Sequence, residues 1–189
     1  MKNFLIFICS VFVATLFSCS KDDDGFKSVV THWALICSAD LLDYVDPIVT
    51  YTDETGRKVE TSLSDYNWNK SGKVRLGDAT NYSELTNIGN TWQTSIEANS
   101  FGISQELEVR YVLKEGKEFD VSKDYEFAHD IVCHVNTASD NNFNQNSRTN
   151  LTIGQKTKGD EAEVYIKSLI STSDKRVVII DNQGKITIN

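Results

Sequence analysis

The stretch "VVTHWALICSADL", residues 29–41, decides the fold class. Its odd positions read Val29, Thr31, Trp33, Leu35, Cys37, Ala39 and Leu41, a nearly apolar set, while its even positions are mixed. Successive side chains of a strand point to opposite faces, so a period of two marks a strand with one face buried. The pattern predicts a strand running through Leu41, with Trp33 in the core.

The same period recurs outward from this stretch. "WQTSIEA" sets Trp92, Thr94, Ile96 and Ala98 against Gln93, Ser95 and Glu97. "QELEVRYVLK" sets Leu107, Val109, Tyr111 and Leu113 against Glu106, Glu108 and Arg110. "YEFAHDIVCHV" places Tyr125, Phe127, His129, Ile131, Cys133 and Val135 on one side. Antiparallel strands with one solvated face read this way. "PIVTYTDETGRKVETSL" predicts a hairpin around Asp53-Glu54-Thr55-Gly56, with Gly56 supplying positive φ and Pro47 heading the first strand.

"GDEAEVYIKSLIST" breaks the rhythm. Asp160 stands as an N-cap with Glu163 three residues on, a capping-box spacing, and Ala162, Tyr165, Ile166 and Leu169 form a helical stripe. "RVVII", a turn at 181–184 and "KITIN" then predict a terminal hairpin. The expected fold is mainly β: an antiparallel β-sandwich, Ig-like in outline, with one C-terminal helix before a final hairpin. A barrel is the alternative.

The 189 residues carry a formal charge of −8, with 40% hydrophobic and 24% charged side chains, which describes a globular chain and excludes a disordered one. At the N-terminus, Lys2 precedes "FLIFICSVFVATLF", residues 4–17, a signal-peptide pattern too short to span a bilayer comfortably. It ends in "LFSCSKDDD". Leu16-Phe17-Ser18-Cys19 resembles the bacterial lipobox, whose cysteine is acylated and becomes the mature N-terminus. Phe17 is bulkier than the usual occupant of its position. The resemblance implies a signal peptide at 1–18, a lipidated acidic tether at 19–27 and a single domain at 28–189. Losing Lys2 leaves 18 basic against 27 acidic side chains, a formal −9, which disfavours binding to nucleic acid.

Ser20, Lys21, Asp22, Asp23 and Asp24 resemble the acidic export tag of surface lipoproteins in Bacteroides and its relatives. That likeness implies an outer-membrane lipoprotein, with palmitate-type acyl chains and the domain facing the cell exterior. "VTYTDETGRKVET" followed by Trp68, the late helix and "DNQGKI" look like a group of small Bacteroides-type surface lipoproteins with β-sandwich folds. The group has no established activity, so the resemblance carries over fold and address and no catalytic residue.

Of the cysteines outside the leader and the lipid site, Cys37 and Cys133 lie on apolar strand faces. They are candidate disulfide partners, worth about 2–4 kcal/mol if bonded. Two separate buried thiols are the alternative. His129 and Cys133 share a strand face, His134 points the other way, and no metal-ligand motif is present, so neither a metal nor a cofactor is expected. No Gly-x-Ser-x-Gly and no Gly-rich phosphate loop occurs, and an enzyme is not expected.

Trp33 and Trp92 read as core. Trp68, flanked by Tyr66, Asn67, Asn69 and Lys70, reads either as a core-capping residue or as a ligand contact, with Tyr66, Trp68 and Asn69 the candidate site. Asp140, Asn141, Asn142 and Asn144 offer oxygens for calcium but lack the spacing of a calcium loop. The functional expectation is a non-catalytic binding or accessory module, contacting a glycan or an envelope or host protein. A structural or adhesive assembly subunit is the second reading, and a periplasmic lipoprotein or an enzyme is the weakest.

Overall fold

The computed structural model describes residues 25–77, 82–139 and 145–189, and the side chains among them except at 71–77, 82–88 and 148–153. Cys19, the tag residues Ser20, Lys21, Asp22, Asp23 and Asp24, and the Asp140–Asn144 candidate calcium ligands lie outside the described residues.

The described elements are β1 (Lys27–Cys37), α1 (Ala39–Tyr44), β2 (Val45–Thr52), β3 (Lys58–Ser62), β4 (Asn69–Gly77), β5 (Tyr82–Ala98), β6 (Ile103–Leu113), β7 (Asp124–Ser139), β8 (Gln145–Lys158), α2 (Gly159–Ile170), β9 (Ser173–Ile180) and β10 (Ile186–Ile188). They build two five-stranded sheets, ordered β4-β5-β1-β7-β8 and β10-β9-β6-β2-β3. All pairings are antiparallel. The two sheets face each other across one core as a β-sandwich, and α2 precedes the β9–β10 hairpin.

The period of two places the core. Val29, Trp33, Leu35 and Cys37 of β1 are fully buried, as are Leu107 and Val109 of β6 and Phe127, Ile131, Cys133 and Val135 of β7. Trp92 and Ile96 of β5 join them. Leu113 keeps the parity of β6 but ends the strand and stays 40% exposed.

β1 stops at Cys37, short of the predicted Leu41, and a second helix, α1, takes its place. Ala39 and Leu41 preserve the alternation by chance. The deciding residue is Ser38, whose buried Oγ accepts the Leu41 N–H (3.3 Å) as an N-cap and also the Ala128 N–H of β7 (3.1 Å). α2 also begins earlier than its capping-box reading. Lys158 is the N-cap residue without a side-chain cap bond, which puts Asp160 in the first turn beside Glu161. Both carboxylates there favour the positive end of the helix dipole. The predicted stripe does face inward: Ala162, Ile166 and Leu169 are buried and Tyr165 is half-buried.

The two hairpin turns, Asp-x-x-Gly followed by a basic residue, share one bonding scheme. Asp53 Oδ1 accepts the N–H groups of Thr55 (2.8 Å) and Arg57 (2.9 Å), and Asp181 Oδ1 accepts those of Gln183 (2.8 Å) and Lys185 (2.9 Å). Gly56 at φ 81° and Gly184 at φ 83° close the turns in a conformation that favours glycine. Pro47 sits within β2, where its carbonyl accepts the Leu63 N–H (2.9 Å). The return bond that proline cannot donate is replaced, because the Leu63 carbonyl accepts the Tyr66 N–H (3.2 Å).

Strand register sorts the connections between sheets to two ends. Cys37 pairs with His129 of β7 and Val45 pairs with Leu113 of β6, so the crossover through α1 and the one through 114–123 lie together. Asp124 pairs with Lys158, which brings the start of α2 to the same end. Lys27 pairs with Ser139 at the opposite end, where Ile103 pairs with Ile180.

Candidate functional site

The end that gathers these crossovers is built on an aromatic cluster. Tyr44 of α1 stacks on Phe119 (4.3 Å between centroids) and meets Tyr125 and Phe127 of β7 edge-on, while Phe127 stacks on Tyr165 of α2. Hydroxyls stitch the cluster to the 114–123 segment. Tyr44 Oη lies 3.1 Å from Tyr125 Oη and donates to the Glu118 carbonyl (3.2 Å), and Tyr125 Oη accepts the Asp120 N–H (2.9 Å). Burial, with the Tyr125 bond second, pushes the Tyr44 hydroxyl far up from its ordinary value, so it stays a neutral donor.

Above this floor opens a cleft of about 640 Å³, lined by Asp40, Lys123, Asp124, Tyr125, Glu126, Lys156, Thr157 and Lys158. That volume is within the range of small-ligand sites, roughly 300–1,000 Å³. Its charges are largely matched. Asp40 Oδ1 holds Lys123 Nζ at 3.1 Å while its Oδ2 accepts the Glu126 N–H at 2.8 Å. Lys156 Nζ reaches Glu126 Oε1 at 3.0 Å across the β7–β8 pair. Burial pulls the Lys123 ammonium down, but the Asp40 hydrogen bond and charge outweigh it and leave the group above its usual value. Lys123 also stands 4.5 Å from the Tyr125 ring centroid. The walls therefore offer hydrogen-bond donors and acceptors with little net charge, which suits a polar, uncharged ligand.

The residues singled out from sequence fall elsewhere. Tyr66 and Trp68 meet edge-on at 5.3 Å between centroids, and both are half-buried against the core, with Asn69 exposed beside them at the start of β4. Trp68 thus caps the core between β3 and β4. Cys37 and Cys133 are both buried free thiols. Cys133 is level with Trp33 in register, four residues along β1 from Cys37. At about 3.3 Å per residue the gap is about 13 Å, against the ~7 Å limit for a disulfide. Burial raises the Cys133 thiol to about 12 and Cys37 further, so neither is a nucleophile at neutral pH.

One interior grouping was not legible in sequence. His129 is fully buried, with Nε2 3.1 Å from Asp174 Oδ2 but out of line for a hydrogen bond. Its ring lies 5.2 Å from that of Tyr111, whose hydroxyl lies beside the Cys37 thiol in poor alignment for a strong bond. The period of two put His129, Cys37 and Tyr111 on inner faces, but Asp174 comes from β9 of the other sheet and nothing local announces the meeting. The group joins the sheets through the core, none of its four residues lines the cleft above, and burial holds its thiol protonated. It reads as packing between the sheets.

Comparison of the chain with protein-family models, curated proteins and solved structures gives no significant match. Its functional reading rests on its own residues.

Proposed function

We propose that the protein is a surface-displayed, lipid-anchored binding module of the outer membrane, non-catalytic, which takes a polar ligand in the cleft beside Asp40, Lys123 and Lys156. The lipobox resemblance at Cys19 and the acidic tag behind it support the address. The cleft is the observation that carries the binding role.

A chain tethered through Cys19 enters the domain at Lys27. The intervening residues reach at most about 29 Å. The crossover end is the end remote from Lys27, because β7, with 16 residues, runs from that end back to the level of Lys27. At about 3.3 Å per residue the cleft lies about 50 Å from the level of Lys27, at the end of the domain remote from the tether. Presentation of a site at the tip suits a glycan or a polar segment of an envelope or host protein, ligands met outside the cell.

The test is binding to a panel of bacterial and host glycans by the native protein, by Lys156→Ala/Lys158→Ala and by Trp68→Ala, with melting temperatures as a control. Loss of binding in the lysine variant alone, with an unchanged melting temperature, supports the cleft. Loss in Trp68→Ala alone moves the site to Tyr66–Trp68 and contradicts this reading. Absence of glycan binding together with concentration-dependent oligomers favours the assembly subunit instead.

A further inference from the structure

Two of the chain's three histidines occupy one spot, and the cleft at the crossover end uses neither. His32 of β1 and His134 of β7 are direct partners in the antiparallel register, on the outer face of the β4-β5-β1-β7-β8 sheet. Their rings stack at 5.7 Å between centroids, 29° apart in plane. A depression of about 340 Å³ covers them, bordered by Gln93, Ser95 and Val132.

We propose that this pair is a transition-metal site, in which His32 and His134 are the protein ligands of a divalent copper or zinc ion.

Each ring already carries the hydrogen bond that a metal-bound imidazole needs. A ligating histidine gives one nitrogen's lone pair to the ion and anchors the other nitrogen on a fixed oxygen, which sets tautomer and ring orientation. His134 Nε2 is 2.9 Å from Asn146 Oδ1. That oxygen only accepts, so Nε2 carries the proton and Nδ1 keeps its lone pair. His32 Nδ1 is 2.7 Å from Ser95 Oγ, and in the tautomer that donates to this hydroxyl the lone pair is left on Nε2. Both rings spring from hydrogen-bonded strands, so little chain entropy remains to be lost on chelation.

Among the described residues no third His, Cys, Asp or Glu completes the group. The remaining positions fall to water or to an incoming ligand, as in an open site. Imidazole nitrogens suit Cu²⁺ and Zn²⁺ at about 2.0–2.1 Å, and the affinity order places Cu²⁺ ahead. Exposed Glu97, two residues from Ser95 on the same face of β5, and the formal charge of −8 favour a cation.

The experiment titrates ZnCl₂ and CuCl₂ into the full chain in a Cys9→Ser, Cys19→Ser background, which removes the N-terminal thiols as competing ligands. Calorimetry gives stoichiometry and affinity, and electron paramagnetic resonance of the copper form reports nitrogen coupling. The expected result is one ion per chain with imidazole-nitrogen coupling. His32→Gln and His134→Gln should each weaken it by about tenfold or more, with melting temperatures in EDTA unchanged. Absence of saturable binding, or binding undiminished in the double variant, overturns the proposal.

Discussion

The hydroxyls of Tyr44 and Tyr125 meet at 3.1 Å, joining α1, where the chain passes between sheets, to the first residues of β7. The same Tyr125 oxygen accepts the Asp120 N–H, so one phenol fixes both the α1 crossover and the 114–123 segment that frame the cleft. Tyr125→Phe should cost about 1–2 kcal/mol, because a part-buried N–H loses its acceptor, and Tyr44→Phe about 1 kcal/mol. The two share a bond, so the double variant should fall short of their sum by about 0.5 kcal/mol or more in urea denaturation. Strict additivity would mean that the hydroxyls do not act together.

Gly159 opens α2, and helix propensity alone would make alanine there stabilising by about 0.5–1 kcal/mol. The structure predicts the reverse. A Cβ on Gly159 would lie 2.2 Å from the Asp120 carbonyl oxygen and 2.7 Å from the Val121 backbone, so helix and crossover segment must separate. Gly159→Ala should destabilise by about 1–3 kcal/mol. A raised melting temperature would show that the segment yields without cost.

The Asp53 turn makes a prediction about pH. Bonds from the Thr55 hydroxyl, then from the Arg57 and Thr55 N–H groups, hold its carboxyl below the ordinary 3.8. A group with a depressed folded pKa contributes stability above its unfolded value and loses it as pH falls through the folded one. Asp53→Ala should therefore lower the melting temperature at pH 7, and the difference from the native protein should shrink below pH 4. A difference that persists at pH 2 would assign the effect to the backbone turn and not to the charge.

Buried thiols with raised pKa values should resist alkylation. Iodoacetamide at pH 7.5 should leave the peptides bearing Cys37 and Cys133 unmodified in the native protein and modify both in 6 M guanidinium. A linked peptide containing both would contradict the register that holds them about 13 Å apart.

Much of this architecture was legible because strands advertise burial locally. Trp33, Leu35, Val109 and Ile131 fall on the inner face that parity assigns them, and "DETGR" and "DNQGK" name their own turns through Asp53, Gly56, Asp181 and Gly184. α1 was missed because Ala39 and Leu41 continue the strand parity, although Ser38 followed by Asp40 is a legitimate helix start. The cleft was illegible for another reason. Asp40, Lys123 and Lys156 are ordinary charged residues, and only the β7–β8 register and the α1 crossover bring them together. The His32–His134 pair likewise depends on a register across 102 positions of sequence, which no local pattern encodes.

The most direct measurement is protease shaving of intact cells that express the full chain, against a variant with Lys21, Asp22, Asp23 and Asp24 replaced by alanine and a periplasmic marker to report lysis. The account predicts that the native protein is digested and the variant is protected. Protection of both would contradict display at the cell surface and move the cleft's ligand to the periplasmic side of the membrane.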